Sequence, residues 1–263
     1  MMRETWRLIE HPALPGAFNM GADYALMKAV SRGDSPPVLR LYRWIVPAVT
    51  IGYFQVIDEE LDAEACASDG VPIIRRITGG GAVLHEFEIT YSVCVPLAHP
   101  LAFGTVLDSY RGLLAPVIEA LARVGVTAEY QPVNDIVTNG KKISGSAQTR
   151  RDGVLLQHGT LLLDLDAARM FRYLKIAPEK LAGKEPAGAA SRVTSLREMI
   201  GPRAGGEAFI GEMNAAIIGS FRDKCSIEFS ESVLSPAEEE DARGARERLF
   251  ENPAWNRDRA VKP

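Results

Sequence analysis

Apolar positions along the chain repeat with two periods. Over Phe103–Val124, residues Leu107, Tyr110, Leu114, Val117, Ile118 and Leu121 return every three or four positions, which predicts a long amphipathic helix ended by Gly125. Gly21–Ser31 repeats that spacing with Ala22, Ala25, Leu26 and Ala29, and Asn19 before it reads as a helix cap. Further helices are expected from Asp58 to Ser68, over Ala167–Leu174 and Pro178–Ala182, and from Gly205 to Phe221. A last one, Pro236–Phe250, is so charged that it reads as a solvated face. Elsewhere the period is two. Val38–Trp44, Ala48–Tyr53, Glu88–Val95 and Val154–Leu165 read as strands, with short ones at Trp6–Ile9, Val126–Tyr130 and Ile227–Phe229. Asn139-Gly140 is a hairpin turn that sets Ile136-Val137 opposite Ile143, and Arg150–Gly153 is a second turn. Strands fill the middle and helices the flanks, so the fold class is α+β around a central, mostly antiparallel sheet. One domain is expected over 1–263, its last part, about 205–263, a helical tail rather than a separate accessory domain.

Composition adds few constraints and several exclusions. The 263 residues are 46% hydrophobic and 24% charged, enough for a core without disulfide staples. Cys66, Cys94 and Cys225 are an odd number without CxxC spacing, which argues against a disulfide framework or thiolate zinc site and for a reducing cytoplasm. A net charge of −4 gives no basic footprint for nucleic acid. The first ten residues do not read as a signal peptide, and no apolar run reaches the roughly 18 residues of a membrane span.

Two stretches carry the chemistry. In the first, the apolar run Val71–Ile74 feeds Arg75-Arg76, then Ile77-Thr78-Gly79-Gly80-Gly81 and a second apolar run, Ala82-Val83-Leu84, ending at His85. Consecutive glycines let a ligand touch the backbone, and their N–H groups can cradle an anion. An arginine beside them offers a charged fork for phosphate or carboxylate. A hairpin turn bearing surface arginines fits the same residues. The second stretch places Asn134-Asp135 before the Asn139-Gly140 turn. Lys142 and the small residues Ser144, Gly145, Ser146 and Ala147 follow it, leaving room for a flat ring or a close backbone approach. Together these are the residue types needed to activate a carboxylic acid with ATP. Asp suits Mg²⁺, and a cation stabilises the charge that develops at phosphate and carbonyl. There is no P-loop, no G-x-G-x-x-G after a first strand, no HExxH and no Ser-His-Asp order.

Arg75-Arg76-x-Thr78-Gly79-Gly80-Gly81-Ala82-Val83-x-His85, Asn134-Asp135, Lys141–Ala147 and His158-Gly159-Thr160-Leu161-Leu162, in that order, resemble the lipoate–protein ligase family within the wider biotin/lipoyl ligase and octanoyltransferase group. Gly52–Gln55 and Ser191–Leu196 extend the resemblance. It implies a core like that of class II aminoacyl-tRNA synthetases and two half-reactions, lipoate with MgATP giving lipoyl-AMP, then transfer to a lysine of a lipoyl-carrier protein. That carrier would be the lipoyl domain of a 2-oxoacid dehydrogenase or a glycine-cleavage H-like protein. By the same resemblance Arg75, Arg76, Gly79, Gly80 and the loop Gly81-Ala82-Val83-Leu84 hold the nucleotide phosphates and adenylate. Asp135, helped by Asn134, faces Mg²⁺. Lys142 contacts the acyl carbonyl and α-phosphate, Ser144, Gly145 and Ala147 line the adenine side, the strand around His85 borders the acyl tunnel, and His158 and Gly159 count among the substrate- or nucleotide-binding residues.

Two departures bear on the activity. The chain after Ile227–Phe229 is short for the extra C-terminal domain of many lipoate ligases, so a separate small accessory subunit would supply it if one is needed. Glu86–Val93 and Ser146–Arg150 look like the related octanoyltransferases, which hold the acyl group on a cysteine and use no ATP. Glu129–Asp135 contains no cysteine, and none occurs between Cys94 and Cys225. The expectation is therefore an ATP-dependent lipoate ligase. An octanoyl or lipoyl transferase, a non-catalytic acyl-binding module and a biotin ligase are the alternatives.

Overall fold

The structure, a computed structural model, describes residues 3–175 and 191–263. The expected helix at Pro178–Ala182 lies outside them. Among the described residues eleven strands form two sheets: β1 (Glu4–Leu14), β2 (Val38–Trp44), β3 (Ala48–Ile51), β4 (Ile73–Arg75), β5 (Val83–His85), β6 (Glu88–Pro96), β7 (Glu129–Gln131), β8 (Asp135–Thr138), β9 (Lys141–Arg151), β10 (Val154–Leu162) and β11 (Ile227–Glu231). The larger sheet has the order β11-β1-β2-β6-β10-β9-β8-β7, and the smaller is β4-β3-β5. In the larger sheet β11-β1 and β1-β2 run parallel, while every pairing from β2 to β7 is antiparallel. The fold is thus α+β with a large mixed sheet flanked by helices.

Helices cover both faces of the sheet, so its central strands β6 and β10 are buried on both sides, polar positions included. On β6, Ile89, Tyr91, Val93 and Val95 join one core with Leu113, Leu114, Val117 and Leu121 of the Val106–Arg123 helix and Met213, Ile217 and Phe221 of the Gly206–Cys225 helix. Cys94 points the other way, into a second core with Leu26 and Met27 of the Gly16–Arg32 helix.

Three local expectations change. The first strand is longer than its apolar run and continues through Pro12, because pairing with both β11 and β2 holds it extended. Asn19 is no cap, since the helix already begins at Gly16. Its buried amide donates to the Leu14 and Arg43 carbonyls and accepts from Arg40 Nη2 at 2.7 Å. The Pro236–Ala245 helix is not merely solvated. Its Ala242 and Ala245 pack on the Gly16–Arg32 helix, and a Cβ on Gly21 would stand 2.4 Å from the Ala242 carbonyl oxygen. Charged residues occupy its outer face; small residues let the two backbones meet.

Candidate functional site

The glycine loop links β4 to β5 at the edge of the small sheet and folds back over β9. Gly80 takes φ +90°, and a Cβ on Gly52 would lie 2.1 Å from the Gly80 carbonyl oxygen, so this crossing of two backbones requires glycine. Beneath the loop is a narrow cavity of about 80 Å³, bordered by Gly80–Val83, by Lys142 and Gly145–Ala147 of β9, and by His158–Thr160 of β10. Arg76, His85 and Asn134 also border it, and Met20, Tyr42, Trp44 and Thr90 complete its walls. Trp44 stacks on His85 at 3.9 Å between ring centroids.

Arg76 organises the loop from inside. Its guanidinium is buried and donates to the carbonyls of Gly79 and Gly81, both at 2.9 Å, and to Thr50 Oγ1 at 2.6 Å. Burial pulls its pKa down to about 10, which still leaves it charged near neutrality. Among the described residues, no carboxylate touches it. Instead two carboxylate–histidine–threonine relays converge on it. Glu88 Oε1 lies 2.6 Å from His85 Nδ1, and His85 Nε2 lies 2.7 Å from Thr50 Oγ1. Asp23 Oδ2 lies 3.1 Å from His158 Nδ1, and His158 Nε2 lies 2.8 Å from Thr78 Oγ1, which also accepts from Arg76 Nε. Each ring therefore donates from Nδ1 to its carboxylate and accepts a threonine hydroxyl at Nε2. Burial holds His158 below its ordinary pKa, more than offsetting the raising effect of Asp23.

Lys142 stands at the other end of the cavity. The β8–β9 pairing contains a bulge: Ile136 faces Ser144 and Val137 faces Lys142, so Ile143 is the extra residue and not the partner that the turn alone suggests. The Lys142 backbone donates to the Arg192 carbonyl at 2.7 Å and accepts from Thr194 N at 2.8 Å. Its Nζ lies 2.7 Å from Asp135 Oδ1. The side chain crosses Gly145, where a Cβ would stand 2.6 Å from both Cε and Nζ. Gly145→Ala is therefore expected to push the ammonium out of position and lower turnover roughly 10- to 100-fold with little change in melting temperature. Steady-state rates alongside a thermal melt check this.

Most of the residues expected at the site meet there, but four do not. Arg75 faces away from Arg76. It is buried and donates to the carbonyls of Gly52, Tyr53, Gln55, Trp255, Asn256 and Arg257, pinning the Pro253–Asp258 helix against β4. Alternation along β4 sends neighbouring arginines to opposite faces. Leu84 likewise alternates away from Val83 and His85, into a third core with Val49 and Ile51. Gly79 borders a different hollow, next to Tyr53 and Tyr110. Ser144 is buried outside the cavity, its hydroxyl without a hydrogen-bond partner. Asn134 holds the loop before β8 by donating to the Ser146 carbonyl. Met20, Tyr42, Trp44, Thr90 and the carboxylates Asp23 and Glu88 were not foreseen. They stand in ordinary-looking helix and strand patterns, and only the buried polar residue in an apolar run was available as a signal.

No cysteine reaches the cavity. Cys66 and Cys94 are buried, and Cys225 ends the Gly206–Cys225 helix. Burial raises Cys66 and Cys225 to about 11 and Cys94 well above its ordinary value, so all three are held as thiols. The Asp135 carboxylate is engaged by Lys142, and among the described residues no three His, Cys, Asp or Glu side chains are grouped to hold a metal. Among those residues, no helix is long and apolar enough to cross a membrane.

This is the site of an α+β catalytic domain built around one lysine and a glycine loop. The lipoyl protein ligase A/B catalytic domain matches residues 15–221, and the chain belongs to that family of lipoate ligases and octanoyl transferases and is an enzyme of it. It is 38% identical over 220 residues to octanoyltransferase LipM of Kyrpidia tusciae, covering 75% of this chain and 80% of that protein. It is 33% identical over 268 residues to octanoyltransferase LipM of Carboxydothermus hydrogenoformans, covering 96% and 98%. Among solved structures it superposes with a TM-score of 0.86 and 28% identity on the bi-partite lipoate protein ligase of Thermoplasma acidophilum, described with its E2 lipoyl domain, over 99% of both chains. Lipoate-protein ligase A bound with ATP gives 0.79 and 28% over 97% of this chain and 98% of that one. These relatives correct the expectation of an ATP-dependent lipoate ligase. Curated proteins alike over nearly the whole chain are octanoyltransferases, and the ATP, Mg²⁺ and lipoyl-AMP of the ligase reading fall with it.

Proposed function

We propose that this protein transfers an octanoyl group from a thioester carrier to a lysine of a lipoyl domain, without ATP. The observation that carries the reading is the likeness over 96% of the chain to an octanoyltransferase. The site is consistent with it. Met20, Trp44, Ala82, Val83 and Ala147 offer apolar walls for the acyl chain, and the donor carbonyl lies at Lys142. There the ammonium stabilises the negative charge that grows on the carbonyl oxygen as an amine attacks. Asp135 orients Lys142, and Arg76 and the loop Gly80–Val83 shape the cavity. The T. acidophilum neighbour's E2 lipoyl domain supports a lipoyl domain as acceptor.

The test is to mix the protein with an octanoyl-loaded acyl carrier protein and a lipoyl domain in the absence of nucleotide, and to weigh the lipoyl domain by mass spectrometry. It should gain one octanoyl unit at its acceptor lysine. A gain that appears only when ATP and free octanoate are supplied would overturn the reading.

A further inference from the structure

We propose that the hollow at Gly79 is the docking site of the protein that carries the thioester, and that this carrier presents an acidic surface. The proposal rests on the octanoyl-transfer reading above, in which the donor is a thioester carrier. Gly80 and Gly81 border the acyl cavity, whereas Gly79 borders a separate groove of about 360 Å³. The walls of that groove include Tyr53, Phe54, Val106, Tyr110, Arg150 and Arg151.

The surface here is more apolar than the fold requires. Phe54 is 76% exposed and Phe103 75%. Val106 and Leu107, in the first turn of the Val106–Arg123 helix, are exposed as well. Large apolar side chains left together in water and rimmed by polar groups mark a contact surface. The patch also leads to the site. Arg111, one turn on from Leu107, lies 5.9 Å over the Tyr130 ring, and the Tyr130 hydroxyl donates to the Val133 carbonyl. Val133 is exposed and precedes Asn134, which borders the acyl cavity.

Charge says what the partner is. The chain has a net charge of −4, and surface arginines such as Arg3, Arg32, Arg43, Arg123 and Arg172 each hold a carboxylate. Around the groove that balance reverses. Arg150 is exposed and donates to the Gly104 and Thr105 carbonyls and the Ser109 hydroxyl. Arg151 Nη1 is buried without a hydrogen-bond partner. Arg259 lies 5.8 Å over the Tyr53 ring and donates to the Tyr53 carbonyl. Among the described residues, none of these three is ion-paired to a carboxylate. The acids beside them are occupied: Asp108 accepts from Thr105 and faces Arg111 at 3.9 Å, and Asp152 pairs with Lys28. Guanidinium groups next to exposed aromatic rings suit a partner whose carboxylates surround an apolar ridge.

Reach assigns the groove to the donor. An acceptor lysine extends no further than its own side chain, so its domain must sit directly over Lys142, where another hollow, bordered by Asp135 and Val137, opens. A thioester on a long flexible prosthetic arm has no such limit. Its protein can rest on the groove while the arm follows Tyr130 and Val133 to Asn134 and the acyl cavity.

The experiment compares two octanoyl donors, the loaded acyl carrier protein and the small thioester octanoyl-pantetheine, with a lipoyl domain as acceptor. Phe54→Ala and Arg150→Glu, each shown to be folded by a thermal melt, should raise KM for the loaded carrier about tenfold. KM for the lipoyl domain and the rate with octanoyl-pantetheine should stay at their wild-type values. Added salt should raise the wild-type KM for the carrier and raise that of Arg150→Glu less. An unchanged KM for the carrier in both variants would overturn the proposal. So would a rise confined to the lipoyl domain, which gives the groove to the acceptor, or an equal loss with octanoyl-pantetheine, which needs no docking. Absence of transfer by the wild-type protein would remove the octanoyl-transfer reading, and fluorescence anisotropy of labelled, unloaded acyl carrier protein would still report on the groove. Binding that Phe54→Ala weakens about tenfold supports the docking site; no binding overturns it.

Discussion

Lys142→Met is expected to lower octanoyl transfer about 100- to 1,000-fold, the loss typical of removing one charged or hydrogen-bonding stabiliser of a developing oxyanion. Methionine keeps nearly the length and bulk of the side chain and discards only the charge. The fold should survive, because what ties Lys142 into the molecule is main chain: its bonds to Arg192 O and Thr194 N remain. The side chains of Lys142 and Asp135 are 42% and 30% exposed, so only the buried Oδ1 of Asp135 loses its partner. KM for the octanoyl donor should hardly move, since the acyl chain is bound by the cavity walls and the lysine acts on the carbonyl as charge develops. Steady-state kinetics with circular dichroism on the same preparation measures both. A fall of less than about tenfold in kcat would mean that Lys142 is not the group that holds the oxyanion.

Arg40→Met should produce the largest loss of stability of any conservative change, about 3–5 kcal/mol, or roughly 10 °C in melting temperature. The Arg40 and Asp23 side chains are 0% and 2% exposed and meet at 2.8 Å. Removing the cation leaves a carboxylate buried with only neutral donors, Tyr42, Ser92 and His158. The pH dependence gives a second signature. Burial alone would raise the Asp23 pKa; the His158 hydrogen bond and then the Arg40 charge outweigh it, and the group lies below its ordinary 3.8. A carboxyl lowered by folding contributes stability that is complete above its unfolded value and is lost as pH falls through the folded one. Without Arg40 that lowering shrinks or reverses, so acid costs the variant less. The melting-temperature gap between wild type and variant should therefore be widest near neutrality and narrow as the pH falls below about 4. His11 adds to acid lability of the wild type at higher pH: burial, then the Arg40 charge, lowers it from 6.5 to about 4, so its contribution fades between those values. A gap that stays constant down to about pH 3.5 would show that Asp23 does not depend on Arg40 for its ionisation.

How much of this was legible beforehand depended on whether a residue's role is local. Gly80, Gly81, Asp135, Lys142, Gly145 and Gly159 could be picked out because a run of glycines, a hairpin turn and a string of small residues are chemical statements in themselves. Arg75 and Arg76 could not be told apart, since they are the same residue type one step apart. Alternation along β4 sends one to the glycine loop and the other to a cage of carbonyls under the C-terminal helix. Asn19 reads as a helix cap by its neighbours and serves Arg40 by its position in space.

The sequence by itself determined the α+β class, the two motif-bearing stretches and the family they resemble, because periodicity, turn chemistry and ordered motifs are written in short windows of chain. The absence of a cysteine near the lysine was legible there too, although it led to the wrong activity. Only the tertiary structure decided which side chains share the cavity, since its walls come from five strands, a helix and the glycine loop, distant from one another in sequence. It also decided that Asp23 and Glu88 reach the buried Arg76 through histidines, and that all three thiols lie outside the cavity. Those facts are distances between residues far apart in sequence, set when the helices on both faces close around the sheet.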